Sequence, residues 1–406
     1  ISDILSDTSI VEHESSIIIN EEDNIYIENV VGEKINNNNE PKIRQSNFEL
    51  LRIIAILLII THHFAVHGGM EFDTKKVFFN RLWIQFITIG GKMSVNVFIL
   101  ISGYFLIYSK KFKIKKFLKF ELQMIMYSII EYLIGVYVFK LEELKLNALQ
   151  QNLLPLSNNV WWFASSYIQL YLLFPLINIC VHGLNRAAYR KYLILISLFF
   201  SVIPTIFHNS PTSYLTWFGF LYFIAGYIRK YSVAENSKSI IWFILAIVIY
   251  IITFLTAVYF DFQAIPMEKP RKEIIKYTDY FFDLTLIPAF FASIFLFLGF
   301  LNLNIKSRFI NFISTTTFGI YLIHDYPMSR EIIWKIILKV PTYTNSIYIV
   351  PYTIFSVLAV FVVCMIIEII RIHTIEKLYM KPLDYISSLL ENLIKKYDDL
   401  ELIEEL

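Results

Sequence analysis

The chain has 406 residues, of which 56% are hydrophobic and only 17% charged, with a formal net charge of +2; its mean hydropathy is +0.55. A soluble domain is nearer half apolar and a quarter charged, and here the apolar residues come in long blocks, so the composition excludes a large soluble core and specifies an all-α, polytopic membrane protein. The near-neutral charge by itself says nothing about a nucleic-acid partner, and no basic stripe interleaved with aromatics is present, so none is expected; two cysteines, Cys180 and Cys364, both inside apolar blocks, read as buried thiols without disulfide framework or metal spacing.

Residues 1–46 are polar, with the run NNNNEP at 36–41, and are expected to be mostly disordered. No signal peptide is read ahead of the first span, which is expected to direct insertion itself. About ten apolar segments follow, near 48–66, 84–107, 118–138, 162–181, 192–207, 214–229, 240–260, 284–302, 309–325 and 347–370, making a membrane domain over 47–372. The fifth, sixth and ninth are short for a full span, and Arg330–Val340 is too short to cross and is expected along a surface. Residues 373–406 carry a helical apolar stripe through Leu389, Leu393 and Leu400, expected as a cytoplasmic amphipathic helix.

Basic residues set the orientation. The cluster YSKKFKIKKFLK at 108–119, then Arg186, Arg190, Lys191, Arg229, Lys230, Lys238, Lys306 and Arg308, fall in alternate loops, which places those loops and both termini in the cytoplasm. The expected location is the plasma membrane of a bacterium, in contact with its lipids.

The first span, FELLRIIAILLIITHHFAVHG, holds the main anomaly. A charge inside a span costs roughly 2.5–3.5 kcal/mol on insertion scales. Arg52 and His63 stand eleven positions apart, close to three helical turns, so both leave one face roughly 16 Å apart along the axis. That face reads as the wall of an internal polar cavity; Arg52 as a snorkelling anchor and the histidines as packed donors are the competing readings. His62 is rotated about 100° away, and His67 lies one turn beyond His63.

Further candidates lie along the other spans. In the second, Ser94, Asn96, Ser102 and Gly103 suit either close helix packing or a cavity wall, and the Asn96 amide could orient an imidazole or a substrate hydroxyl. Trp161 and Trp162, beside Asn158 and Asn159, suit an interfacial belt or a platform for a sugar ring. His324 and Asp325 end the ninth segment; adjacent residues point about 100° apart, so they are not automatically a pair. Glu131 is a further ionisable group within the third span. No metal set is read, and no GxSxG, HExxH, P-loop or GxGxxG pattern is present.

Together FELLRIIAILLIITHHF, with its Arg-x10-His spacing from Arg52 to His63, NVFILISGYFL, WWFASSYIQLYLLFPL and TFGIYLIHD resemble the acyltransferase-3 family of integral-membrane O-acyltransferases over roughly residues 46–372. That family tends to carry an Arg-x2-Arg element in the basic loop after the second span, where this chain has lysines such as Lys113 and Lys116. The resemblance implies transfer of an acyl group, usually acetyl, from cytoplasmic acetyl-CoA to a hydroxyl of a surface glycan or lipid-linked saccharide, with no permanently bound cofactor. With that chemistry the candidates fit as follows: His63 is catalytic, as the base for the acceptor hydroxyl or as carrier of the acyl group, assisted by Arg52 and Asn96; Arg52, Lys113 and Lys116 meet the donor, the basic cluster being equally a topology signal in contact with anionic lipid; Trp161, Trp162 and His324 meet the acceptor; and His62, Ser102 and Glu131 are further cavity candidates. Two other readings are a polysaccharide exporter or flippase without chemistry of its own, and a membrane-bound O-acyltransferase of the other large family, favoured if His324 rather than His63 is essential.

Overall fold

The computed structural model describes residues 45–73, 76–109, 112–207, 213–264 and 278–404, so the disorder expected for 1–46 falls almost wholly outside the described residues. Every regular element among them is helical. In chain order these are α1 Ser46–His67, α2 Phe79–Leu106, α3 Ile114–Leu133, α4 Leu146–Leu153, α5 Trp162–Gly183, α6 Arg186–Ser197, α7 Tyr214–Lys230, α8 Ser239–Ala264, α9 Ile287–Leu301, α10 Arg308–Ser314, α11 Thr317–Asp325, α12 Pro327–Glu331, α13 Ile349–His373 and α14 Ile375–Glu404. Wider π-type turns extend α3 over Ile134–Val138, α6 over Leu198–Val202 and α12 over Ile332–Ile337.

Among the described residues eight helices are long and apolar enough to cross a membrane. The sixth expected span is α7, at 17 residues about a turn shorter than a typical span. The ninth is broken at Thr315 and Thr316 into α10 and α11. Non-helical backbone at membrane depth is tolerated only where protein or a water-lined cavity covers it. Here Thr316 is buried and Thr315 lines a cavity.

α1 is the centre of the bundle, packed on α2, α9, α10, α11 and α13. Gly90 and Gly91 let α2 close onto it, since a Cβ at Gly91 would run into the side chain of His62. α8, by contrast, buries only Ala246, Thr253, Ala257, Asp261 and Ala264 and turns its apolar face outward, as lipid contact requires. Cys364 is buried, but Cys180 is exposed on α5 and does not belong to the core expected for it.

Helix ends gather in two layers. In one, Asn47 donates to the Phe300 carbonyl (2.9 Å), Arg229 to the Tyr104 hydroxyl (2.6 Å) and Lys230 to the Val181 carbonyl (3.0 Å). The loops carrying Arg186, Arg229 and Lys306 therefore share a level with the start of α1. In the other layer Asn80 donates to the carbonyls of Thr344 (2.8 Å) and Ser346 (2.9 Å), and Arg81 pairs with Asp261.

α14 lies against α3 and α13, fastened by buried charge. Lys119 donates to Glu376 (2.7 Å), Arg371 pairs with Glu376 and Glu368 (2.8 Å each), and Lys115 pairs with Asp384 at 2.9 Å. Burial alone would raise the Glu376 carboxyl, but Lys119 and then Arg371 outweigh it and hold the group below the ordinary carboxylate range.

Candidate functional site

Four residues of α1, Arg52, Ile56, Ile59 and His63, follow one another at helical spacing along one wall of a single cavity. The opposite walls come from Ser102 of α2, Lys116 of α3, Tyr167 of α5, and Thr315, Tyr321 and Asp325 of the broken ninth segment. The void measures about 110 Å³, room for several waters at roughly 10–15 Å³ each. At one end Arg52 stands 3.6 Å from Glu49, whose carboxylate accepts from Ser314; Lys116 lies over the ring of Tyr171, 4.9 Å from its centre.

At the other end the hydrogen bonds fix the state of His63. His324 Nδ1 lies 2.5 Å from the Ile320 carbonyl, which can only accept, so that nitrogen carries the proton and Nε2 holds a lone pair. His63 Nδ1 lies 3.0 Å from His324 Nε2 and 3.3 Å from Asp325 Oδ1. Two acceptors face it, so Nδ1 is the donor, and a neutral His63 keeps its lone pair on Nε2. His324 and Asp325 thus act together without pairing with each other: neighbours on the last turn of α11, they converge on a third residue. Arg330 fixes the carboxylate, with Nε and one terminal nitrogen each 2.9 Å from Oδ1.

A second cavity, about 430 Å³, opens on the other side of His63. His62, His67, Lys92, Asp279, Asp283 and Arg330 line it, and it shares Ile59, His63, Val95 and Trp162 with the first. One imidazole therefore stands in the partition between two chambers.

The other residues singled out in the sequence divide. Lys116, Ser102 and Trp162 are on the first cavity; the Ser102 hydroxyl donates back to the Phe98 carbonyl at 2.9 Å. His62 lines only the second cavity, with Nδ1 2.7 Å from the Thr88 carbonyl. Asn96 does not reach an imidazole: its amide nitrogen donates to the Leu284 carbonyl (2.8 Å) and its oxygen accepts from Trp217 (2.9 Å), which uses the group to join α2, α7 and the segment before α9. Trp161 is neither belt nor platform, being fully buried with Nε1 donating to the Leu322 carbonyl at 3.1 Å. Glu131 accepts from Ser329 at 2.7 Å and lines neither chamber. Lys113 precedes α3 as its cap residue and is outside both linings.

Two contributors escaped the sequence reading. Arg330 lies in the stretch expected along a surface; Lys335, Ile336 and Ile337 there are exposed, while its inner side carries Trp334, fully buried and edge-on to Phe64 with ring centres 5.8 Å apart. Tyr321 stands one turn before Asp325, with its buried hydroxyl beside that carboxylate in a contact too loose for a well-formed hydrogen bond. The spacing of Tyr321 and Asp325, i and i+4 on one helical face, was the signal available for it.

A family model described as an acyltransferase domain matches residues 45–368. No curated protein and no solved structure matches the chain.

Proposed function

The chain belongs to the acyltransferase-3 family and is a multi-pass membrane acyltransferase; from that premise we propose that it moves an acetyl group from acetyl-CoA on the cytoplasmic side to a hydroxyl of a surface glycan or lipid-linked saccharide. The observation that carries this reading is the first cavity, into which Arg52 and His63 both open from one helix face.

The donor enters at the Arg52 end. Arg52 and Lys116 carry positive charge there, suited to the phosphates of CoA, and an Arg charge survives any working pH. The basic loops share that layer, which agrees with a cytoplasmic side. The thioester then lies along the cavity with its carbonyl carbon near His63. The acceptor comes from the second chamber, where Trp162 offers a ring face and Asp279 and Asp283 offer acceptors for sugar hydroxyls.

His63 Nε2 takes the acceptor's hydroxyl proton as that oxygen attacks the thioester carbon. The carbon–sulfur bond breaks, and the CoA thiolate leaves and takes up the proton from the imidazolium. His324 and Asp325, at His63 Nδ1, hold the ring in the required tautomer and stabilise its charge while it lasts. The Tyr321 hydroxyl, on the cavity wall beside Asp325, donates to the carbonyl oxygen as it becomes an oxyanion. Enclosure limits competing hydrolysis of the thioester.

Replacing His63 by Ala tests this. Acetyl esters on the cell's glycans, measured by mass spectrometry at matched protein level, should fall by about 10²–10⁴-fold, the usual worth of a positioned base. Unchanged ester content would remove His63 from the chemistry.

A further inference from the structure

We infer that His63, His67 and Asp325 form a binding site for a divalent transition metal, zinc above all, and that a metal held there switches acyl transfer off. One ligand atom from each of the three lies within 4.8 Å of the other two. His63 and His67 are four residues apart on α1, the spacing that brings two imidazoles to one helix face. Their ring centres are 5.1 Å apart. Asp325 closes the set from a separate helix.

A second observation points the same way. Asp325 is 1% exposed, its Oδ1 faces Arg330 and His63, and its Oδ2 makes no well-formed hydrogen bond among the described residues, although the Tyr321 hydroxyl stands beside the carboxylate. A buried carboxylate oxygen so loosely engaged is costly. A cation on Oδ2 would satisfy it, with Arg330 then acting as the outer group that orients a ligating carboxylate.

The surroundings select the metal. Zinc takes imidazole nitrogen at about 2.0–2.1 Å and carboxylate oxygen at about 2.0–2.2 Å, so ligand atoms 4.8 Å apart must draw in. His67 can do so, because it is half-buried at the end of α1 and faces the open second cavity. Arg330 offsets the Asp325 charge and Lys92 stands in the same cavity wall. Binding must therefore come from coordination by imidazole rather than from net charge, which favours zinc and its neighbours over magnesium or calcium. Asp279 and Asp283 line the cavity and give a cation its path inward.

The switch rests on the reading of His63 as the base. Coordination takes the lone pair of a ring nitrogen, and a base needs the same pair, so metal and proton transfer exclude each other at this residue.

The test uses the full chain, purified in detergent and stripped with a chelator. Cobalt(II) should bind at one equivalent with visible absorption bands, and zinc should displace it. His67→Ala and Asp325→Asn should each weaken binding at least tenfold, and magnesium should not compete. His67→Gln, with its thermal unfolding profile matched to the parent, covers the case in which the Ala variant misfolds. Zinc should also inhibit acetyl transfer, with full recovery on adding chelator. No saturable cobalt binding, or equal binding by the His67 variants and the parent, would overturn the site; zinc bound without inhibition would overturn the switch. Metal binding is read without turnover: if metal binds but the metal-free protein transfers no acetyl group, the functional reading fails alone.

Discussion

Two of the buried charged clusters among the described residues are finished differently. Around Glu368 every carboxylate oxygen is doubly engaged: Oε1 accepts from Gln123 (3.0 Å) and Arg371 (2.8 Å), and Oε2 from Tyr127 (2.5 Å) and Arg371 (2.8 Å). Around His63 the groups are held more loosely, with Asp325 Oδ2 and the Tyr321 hydroxyl side by side but in no well-formed hydrogen bond among the described residues, and a lone pair on His63 Nε2. A saturated network is rigid and has no capacity for a visitor; an unsaturated one stores an unmet demand that a substrate or ion can meet. The Glu368 cluster is thus a clamp joining α3, α13 and α11, since its carboxylate also packs where a Cβ on Gly319 would sit. The His63 cluster, proposed above as the site of the chemistry, shares α11 with that clamp.

Breaking the clamp should have the largest effect on stability. Glu368→Ala takes from the buried Arg371 guanidinium the carboxylate that meets two of its nitrogens, with Glu376 and Tyr379 remaining to it, so the loss should sit at the lower end of the range for one half of a buried pair, about 3 kcal/mol. Thermal unfolding in detergent should show it. An unfolding midpoint equal to that of the parent would mean that the two clusters do not differ as argued.

The His63 cluster should respond the other way. Tyr321→Phe removes a hydroxyl that makes no well-formed hydrogen bond, so stability should change little. The turnover number for acetyl transfer should fall by about 10²–10³-fold, the range for one oxyanion donor. A fall in stability without a change in turnover would reassign Tyr321 to packing.

The smallest effect concerns pH at the tail. Glu376 has its carboxyl lowered in the folded protein, so its contribution is full above the ordinary Glu value, about 4.5, and fades as pH falls through the lower folded value. The docking of α14, followed by amide hydrogen exchange over residues 375–390, should loosen in acid and be unaffected between pH 6 and 8. Glu376→Gln should flatten that acid limb. Loosening that instead begins near neutrality would implicate a different group.

The sequence by itself determined the class of molecule and the main axis of its site. Long apolar blocks leave a chain no stable home but a bilayer, and helical geometry puts Arg52 and His63 on one face whatever surrounds them. The acyltransferase family was also legible, in motifs such as SGY and WWF that travel with that face. Neighbourhood was not legible. Asn96 and Trp161 looked like site residues because a polar or aromatic side chain in a span announces only that it needs a partner. Which partner it gets depends on the helix packed against it, and Asn96 found Leu284 and Trp217. Arg330 was hidden for the converse reason: a short amphipathic stretch has no periodicity that shows which of its side chains face inward. The convergence of His324, Asp325 and Arg330 on one imidazole belongs to tertiary structure alone. It joins residues more than 250 positions apart in the chain, and hydrogen bonds are fixed within a few tenths of an ångström, a scale that no spacing along the sequence can specify.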